Sequence, residues 1–175
     1  MMSEMLPGEQ AAEAKTARKP RAKKTALMYA VDLLARQEQS SAKLREKLLR
    51  KGYAEAETEA AIARLVEKHY LNDADACARQ FAYLYNESRS SVRQIVMKLL
   101  QRGFPSELVK ACVPADTYER EKAAALRVLA LKYKRSAEPR QMMANLYQKG
   151  FESAVCRAAA EEYAEAESFD EGTAD

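Results

Sequence analysis

Tryptophan is absent from this chain, and glycine and proline occur only five times each in 175 residues. Sheet proteins of this length draw heavily on both residues for their turns, so the small stock excludes a turn-rich sandwich or barrel. Strand-length runs of β-branched residues with period-two alternation are missing too, Ile95-Val96 being a typical isolated pair. No window approaches the roughly 18 apolar residues of a membrane span. The segment Met1 to Ala22 is partly basic but has no apolar run of the secretory kind, so the expectation is a cytosolic protein without a membrane partner. Cysteine is sparse and odd in number: Cys77, Cys112 and Cys156 are far apart and form no CxxC, which argues against a disulfide framework or a structural zinc. They read as small apolar side chains. Histidine occurs once, at His69, and the phosphate-cradling, metalloprotease and dinucleotide motifs are all absent. No catalytic residue, cofactor or metal is therefore assigned, and the chain is not expected to be an enzyme.

What is present is helix-forming. Ala, Leu, Glu, Lys and Arg dominate, and 47% hydrophobic residues suffice for a core. The net charge of +3 hides a partition: residues 1–24 hold six bases and three acids, residues 161–175 hold seven acids and no base, and the remainder carries 23 bases against 16 acids. A basic folded part favours polyanionic partners without choosing among them. The basic end is expected to form a disordered tail over 1–24, and an acidic tail is expected over 167–175.

Three helix endings are spelled almost alike: "LLRKGY" at Leu48–Tyr53, "LLQRGF" at Leu99–Phe104 and "LYQKGF" at Leu146–Phe151. The glycines Gly52, Gly103 and Gly150 lie 51 and 47 residues apart, a period that signals stacked supersecondary units. Counting back from each glycine, position minus eight is Leu44, Ile95 or Met142, minus four is Leu48, Leu99 or Leu146, and minus three is Leu49, Leu100 or Tyr147. That spacing predicts one apolar stripe drawn three times. Glycine after a cation and before an aromatic predicts a left-handed C′ residue whose follower folds back onto C3.

Each ending sits inside a three-helix unit. In the first, a helix over Thr25–Arg36 is expected to turn Leu27, Val31 and Leu34 inward, Ser40 or Ser41 to cap the next helix, and Glu55–Lys68 to present Ile62, Leu65 and Val66. The second unit comprises "DADACARQFAYLYN", "SSVRQIVMKLLQR" and "SELVKAC", and the third "TYEREKAAALRVLALKYKR", "EPRQMMANLYQK" and "ESAVCRAAAEEYAEA", the last helix reaching about Ala166. The acids Asp73 and Asp75 read as complements to a helix dipole. The fold class is all-α, an elongated array of three tandem three-helix repeats over 25–70, 71–115 and 116–166. Units this small bury little alone, so neighbours are expected to stack.

"SSAKLREKLLRKGY", the later "HYLND" and then "SSVRQIVMKLLQRGF" resemble the RecX family of bacterial regulatory proteins, over roughly Thr25 to Glu162. The chain departs from that pattern at His69, where a glycine is usual, at Ala76 or Cys77, where an aromatic is usual, and at Lys98-Leu99, where a Glu-Leu pair is usual. Phe81 and Tyr85 are expected to supply the missing aromatic packing, and His69 to take the left-handed conformation. The resemblance implies a non-enzymatic, monomeric regulator that lies in the groove of the RecA nucleoprotein filament. It implies inhibition of RecA's recombinase, ATPase and coprotease activities, and so modulation of DNA repair and the SOS response.

Candidate contacts with RecA or DNA follow from the basic faces. The first unit's middle helix carries Lys43, Lys47, Arg50 and Lys51, expected as the strongest row; the second carries Lys98 and Arg102, the third Lys149. Arg89 and Arg93 lie at the junction opening the second middle helix, and Lys132, Lys134, Arg135 and Arg140 at the junction opening the third. Weak binding of single- or double-stranded DNA is expected through these faces. A helix-turn-helix duplex binder and a helical scaffold for peptides remain alternatives.

Overall fold

The computed structural model describes residues 24–133 and 137–171 and is helical throughout, with nine helices among the described residues and no strand. The first unit comprises α1 (Ala26–Arg36), α2 (Ser41–Lys51) and α3 (Glu55–Glu67); the second α4 (Asp73–Glu87), α5 (Val92–Gln101) and α6 (Ser106–Ala111); the third α7 (Tyr118–Lys132), α8 (Pro139–Gln148) and α9 (Ser153–Glu171). Residues 1–23 of the basic segment expected to be disordered, Lys134 and Arg135, and the last four residues lie outside the described residues, whereas Lys24 is described and pairs with Asp32.

The middle helices α2, α5 and α8 end as their sequences predict. Each glycine has a positive φ, 95°, 82° and 81° in turn. The following aromatic amide donates to the carbonyl five residues back, Tyr53 to Leu48 at 3.3 Å and both Phe104 to Leu99 and Phe151 to Leu146 at 3.2 Å. These bonds close the last turn and swing the chain into the third helix of each unit. The same ending recurs after α3, where His69 takes φ 59° in place of glycine and Tyr70 donates to the Leu65 carbonyl.

Three separate cores result. Leu44 and Leu48 pack with Ala26, Ala30, Ala61, Ile62 and Leu65 in the first unit. Ile95 and Leu99 pack with Cys77, Phe81, Leu84, Phe104 and Val109 in the second. Met142 and Leu146 pack with Ala125, Leu129, Phe151, Val155 and Ala159 in the third. Phe81 is buried and stacks on Tyr85 at 5.4 Å between ring centroids, so this pair does supply the second unit's aromatic packing.

Some apolar positions face elsewhere than expected. Positions minus eight and minus four are fully buried, whereas minus three is exposed, by 41% at Leu49, 37% at Leu100 and 66% at Tyr147. The flanking helices of each unit close on the minus-eight and minus-four side, and one residue further round the helix already lies outside. On α1 the buried face is Ala26 and Ala30, with Val31 left exposed, and on α3 Val66 is exposed while Ala61, Ile62 and Leu65 are inside. Small residues let α1 and α3 approach closely, which turns the larger neighbours out. At the other end α9 continues to Glu171, beyond the expected stop near Ala166.

Candidate functional site

Neighbouring units meet through polar joints rather than through a merged core. At the first joint, the N-cap hydroxyl of Ser40 donates to the Arg102 carbonyl at the end of α5, 2.6 Å, while accepting from the Lys43 amide at 3.2 Å. Beside it the Ser41 amide donates to the Asp73 carboxylate of α4 at 2.8 Å. The second joint repeats this arrangement. Ser91 donates to the Lys149 carbonyl at the end of α8, 2.7 Å, and accepts from the Gln94 amide, while the Val92 amide donates to Glu121 of α7 at 2.5 Å. In both joints the positive end of one middle helix therefore abuts the negative end of the next, and a carboxylate from the following unit satisfies a first-turn amide. Asp73 thus serves the neighbouring helix α2 as well as its own.

The joints also give two glycines a second reason to be glycine. A Cβ on Gly103 would sit 2.8 Å from Ser40 Oγ, and one on Gly150 would sit 3.1 Å from Ser91 Oγ, whereas one on Gly52 meets nothing within 4 Å. Among the described residues nothing crowds Gly52 at the end of α2, so there the positive φ alone favours glycine.

Arg120, which sequence reasoning missed, ties the second joint further. Its guanidinium donates to the carbonyls of Tyr85 at 2.7 Å, Ser90 at 2.6 Å, Ser88 at 3.2 Å and Leu84 at 3.3 Å, and lies 4.7 Å from the Tyr85 ring centroid. It caps the end of α4 from the third unit. Next to it, burial pushes the Glu121 carboxyl above the usual carboxylate range, with the Val92 amide and Arg120 pulling the other way. Burial and the neighbouring Cys112 thiol push the Cys77 thiol up to about 12, so Cys77 is an inert core side chain.

The basic residues fall into groups around this frame. On α2, Lys43 pairs with Glu46 at 2.6 Å and Arg50 with the same carboxylate at 3.5 Å, and Lys51 lies 5.7 Å from the Tyr29 ring centroid. Glu46 thus offsets part of that row; Lys47 on the same helix is half-buried. At the second joint Arg89, Lys132 and Lys149 line a cleft of about 690 Å³ together with Arg127, a cation that sequence reasoning did not single out. Arg93, Lys98 and Lys149 line an adjoining groove of about 620 Å³ with Met97 and Tyr147. At the first joint a smaller groove of about 310 Å³ holds Arg102, whose side chain donates to Gln80 at 2.6 Å, and Arg79, which pairs with Glu38 at 2.5 Å. Arg140 is exposed on the first turn of α8 and joins none of these clefts.

Three-helix units coupled end to end, with cations gathered where the units meet, define a tandem helical-repeat protein. The description "RecX, first three-helix domain" matches residues 26–65. A protein of Thermus thermophilus named "Regulatory protein RecX" is 40% identical over 97 residues, which is 54% of this chain and 64% of the relative. A protein of the same name from Trichlorobacter lovleyi is 31% identical over 99 residues, 55% of this chain and 64% of the relative. The matched segments therefore span less than two thirds of these relatives. Among solved structures, "Crystal structure of RecX from Lactobacillus salivarius" superposes with a TM-score of 0.67 at 17% identity, covering 79% of this chain and 94% of that one. A second, "Crystal structure of regulatory protein RecX", gives 0.64 at 21% identity, covering 74% and 67%; at such identities the likeness concerns the fold. The family-model match and the named relatives support a RecX family protein.

Proposed function

We propose that this chain is a cytosolic, monomeric regulator that docks along the RecA nucleoprotein filament and inhibits its recombinase, ATPase and coprotease activities. In that role it modulates DNA repair and the SOS response, acting by binding and without catalysis of its own. The observation that carries the reading is the pair of matched joints. They fix three units, each bearing exposed cations, in one array, and several weak contacts on one rigid chain gain avidity on a long partner by effective concentration. Lys43, Lys47, Arg50 and Lys51 on α2 and the second-joint cations are the contacts it uses, with weak accessory binding of DNA phosphates.

A helix-turn-helix duplex binder presents the start of a recognition helix to the major groove. The starts of α2 and α5 are covered by the following unit, Ser40 and Ser91 being buried there, which favours the filament reading. The test is DNA-dependent ATP hydrolysis by RecA of the same organism while the full chain is titrated in. Inhibition below one regulator per RecA supports the proposal; unchanged hydrolysis at excess refutes it. Duplex binding run alongside at several salt concentrations reads out the alternative.

A further inference from the structure

The two joints are built to one plan, and among the differences between the clefts beside them one reverses a charge. Fourteen residues before the unit's glycine the first joint carries Glu38, and the second carries Arg89. Six residues after the carboxylate that accepts the first-turn amide the next unit presents an arginine in both cases, Arg79 after Asp73 and Arg127 after Glu121. In the first joint Arg79 holds the Glu38 carboxylate, with Nη2 at 2.5 Å and Nε at 3.1 Å, so the cleft is closed by its own acid. In the second, an arginine stands where that acid would be. Arg127 keeps a bond of 3.3 Å to the Ser88 carbonyl, and Arg89, Arg127, Lys132 and Lys149 share a cleft whose lining contains one carboxylate, Glu87.

The molecule therefore displays in its first joint the group that the second lacks. We infer that the second-joint cleft binds a carboxylate of an acidic peptide segment on a protein partner, held between Arg89 and Arg127 where the first joint holds Glu38. Planar guanidinium groups match carboxylates through paired hydrogen bonds. The rest of the cleft wall indicates what accompanies the acid. Leu131 is 64% exposed above Val128, which gives an aliphatic side chain of the peptide a surface to cover. Among the described residues no aromatic ring lines the cleft for a nucleic-acid base to stack on. The surface is one of those assigned above to the filament, so the inference deepens that reading by naming the chemistry of the contact.

The test uses the full chain and a fluorescein-labelled dodecapeptide of alternating Glu and Leu, read by anisotropy, with a basic Lys–Leu dodecapeptide and a twelve-residue oligothymidylate as the other arms. The acidic peptide should bind and the basic one should not. Arg89→Glu rebuilds the first joint's ion pair inside the second, so it should weaken peptide binding by about tenfold or more without loss of folding. Glu38→Arg should do the converse, opening the first cleft and raising the stoichiometry from one peptide per chain toward two. Unchanged affinity in Arg89→Glu, or unchanged stoichiometry in a folded Glu38→Arg variant, overturns the inference. So does oligothymidylate binding that depends on Arg89 while the acidic peptide stays unbound, since that assigns the cleft to phosphate. ATPase inhibition measured on the same variants separates the two proposals: peptide binding by a chain that leaves RecA untouched sinks the filament reading alone.

Discussion

Alanine at Gly103 should cost more than alanine at Gly52, although both glycines end a middle helix with positive φ. The shared part is backbone strain: a left-handed alanine costs about 1–2 kcal/mol. At Gly52 nothing adds to it, because among the described residues no atom lies within 4 Å of the new methyl. At Gly103 the methyl would meet Ser40 Oγ at 2.8 Å, Ala42 Cβ at 3.3 Å and Lys43 Cγ at 3.4 Å. Ser40 cannot yield freely. It is 1% exposed and its hydroxyl bridges the Arg102 carbonyl and the Lys43 amide. Displacing it strands buried polar groups, at about 1–3 kcal/mol. Gly103→Ala should therefore lose about 2–5 kcal/mol against about 1–2 for Gly52→Ala, measured by urea unfolding. Because the excess belongs to the joint, Ser40→Ala should relieve it: in the Ser40→Ala background the Gly103→Ala cost should fall toward that of Gly52→Ala, a coupling read from the double-mutant cycle. Equal costs at the two glycines, or no coupling with Ser40, would refute the account of the joint.

Three further outcomes follow from the same geometry. Leu48→Ala should cost about 2–5 kcal/mol and Leu49→Ala no more than about 0.5, since the first is fully buried and the second 41% exposed; comparable losses in urea melts would place minus three in the core after all. Arg120→Met should destabilise by about 2–4 kcal/mol, because it leaves the carbonyls of Tyr85 and Ser90 without the guanidinium that holds them and removes one donor each from those of Leu84 and Ser88, and a loss under about 1 kcal/mol would show that water replaces the guanidinium. Glu121 has a raised pKa in the folded chain, so folding binds its proton more tightly and the stability tied to that proton is lost as pH rises from its unfolded value through its folded one. Glu121→Gln, which cannot titrate, should therefore gain on the wild type as pH rises from the ordinary carboxylate range upward in paired denaturant melts, and a difference that stays flat or runs the other way would count against the buried carboxylate.

The helix endings were legible in the sequence because a Schellman ending is local: the cation, glycine and aromatic that make it are neighbours in the chain. The joints were not, since Ser40 and the carbonyl it holds are 62 residues apart, and an N-cap serine looks the same whether or not a second helix sits on it. Minus three was misassigned for a related reason. Positions minus four and minus three both fall on an apolar stripe, and only the packing of the flanking helices decides which of them lies inside. Arg127 sits in the middle of α7 rather than at a junction and escaped notice, yet a signal was there, since it follows Glu121 at the interval by which Arg79 follows Asp73.

At the position of Ser40 and Ser91 the third unit has Glu138, followed by Pro139. Glutamate has no hydroxyl to donate and proline no amide, so α8 lacks both donors that α2 and α5 use for coupling. Among the described residues no atom lies within 4 Å of where a Cβ on Gly52 would sit, so the matching surface at the end of α2 is open among them. Growth of such a chain by duplication consequently has a preferred direction: a fourth module spliced ahead of α1 would find a ready mate, whereas one appended behind α9 would first require Glu138 and Pro139 to revert.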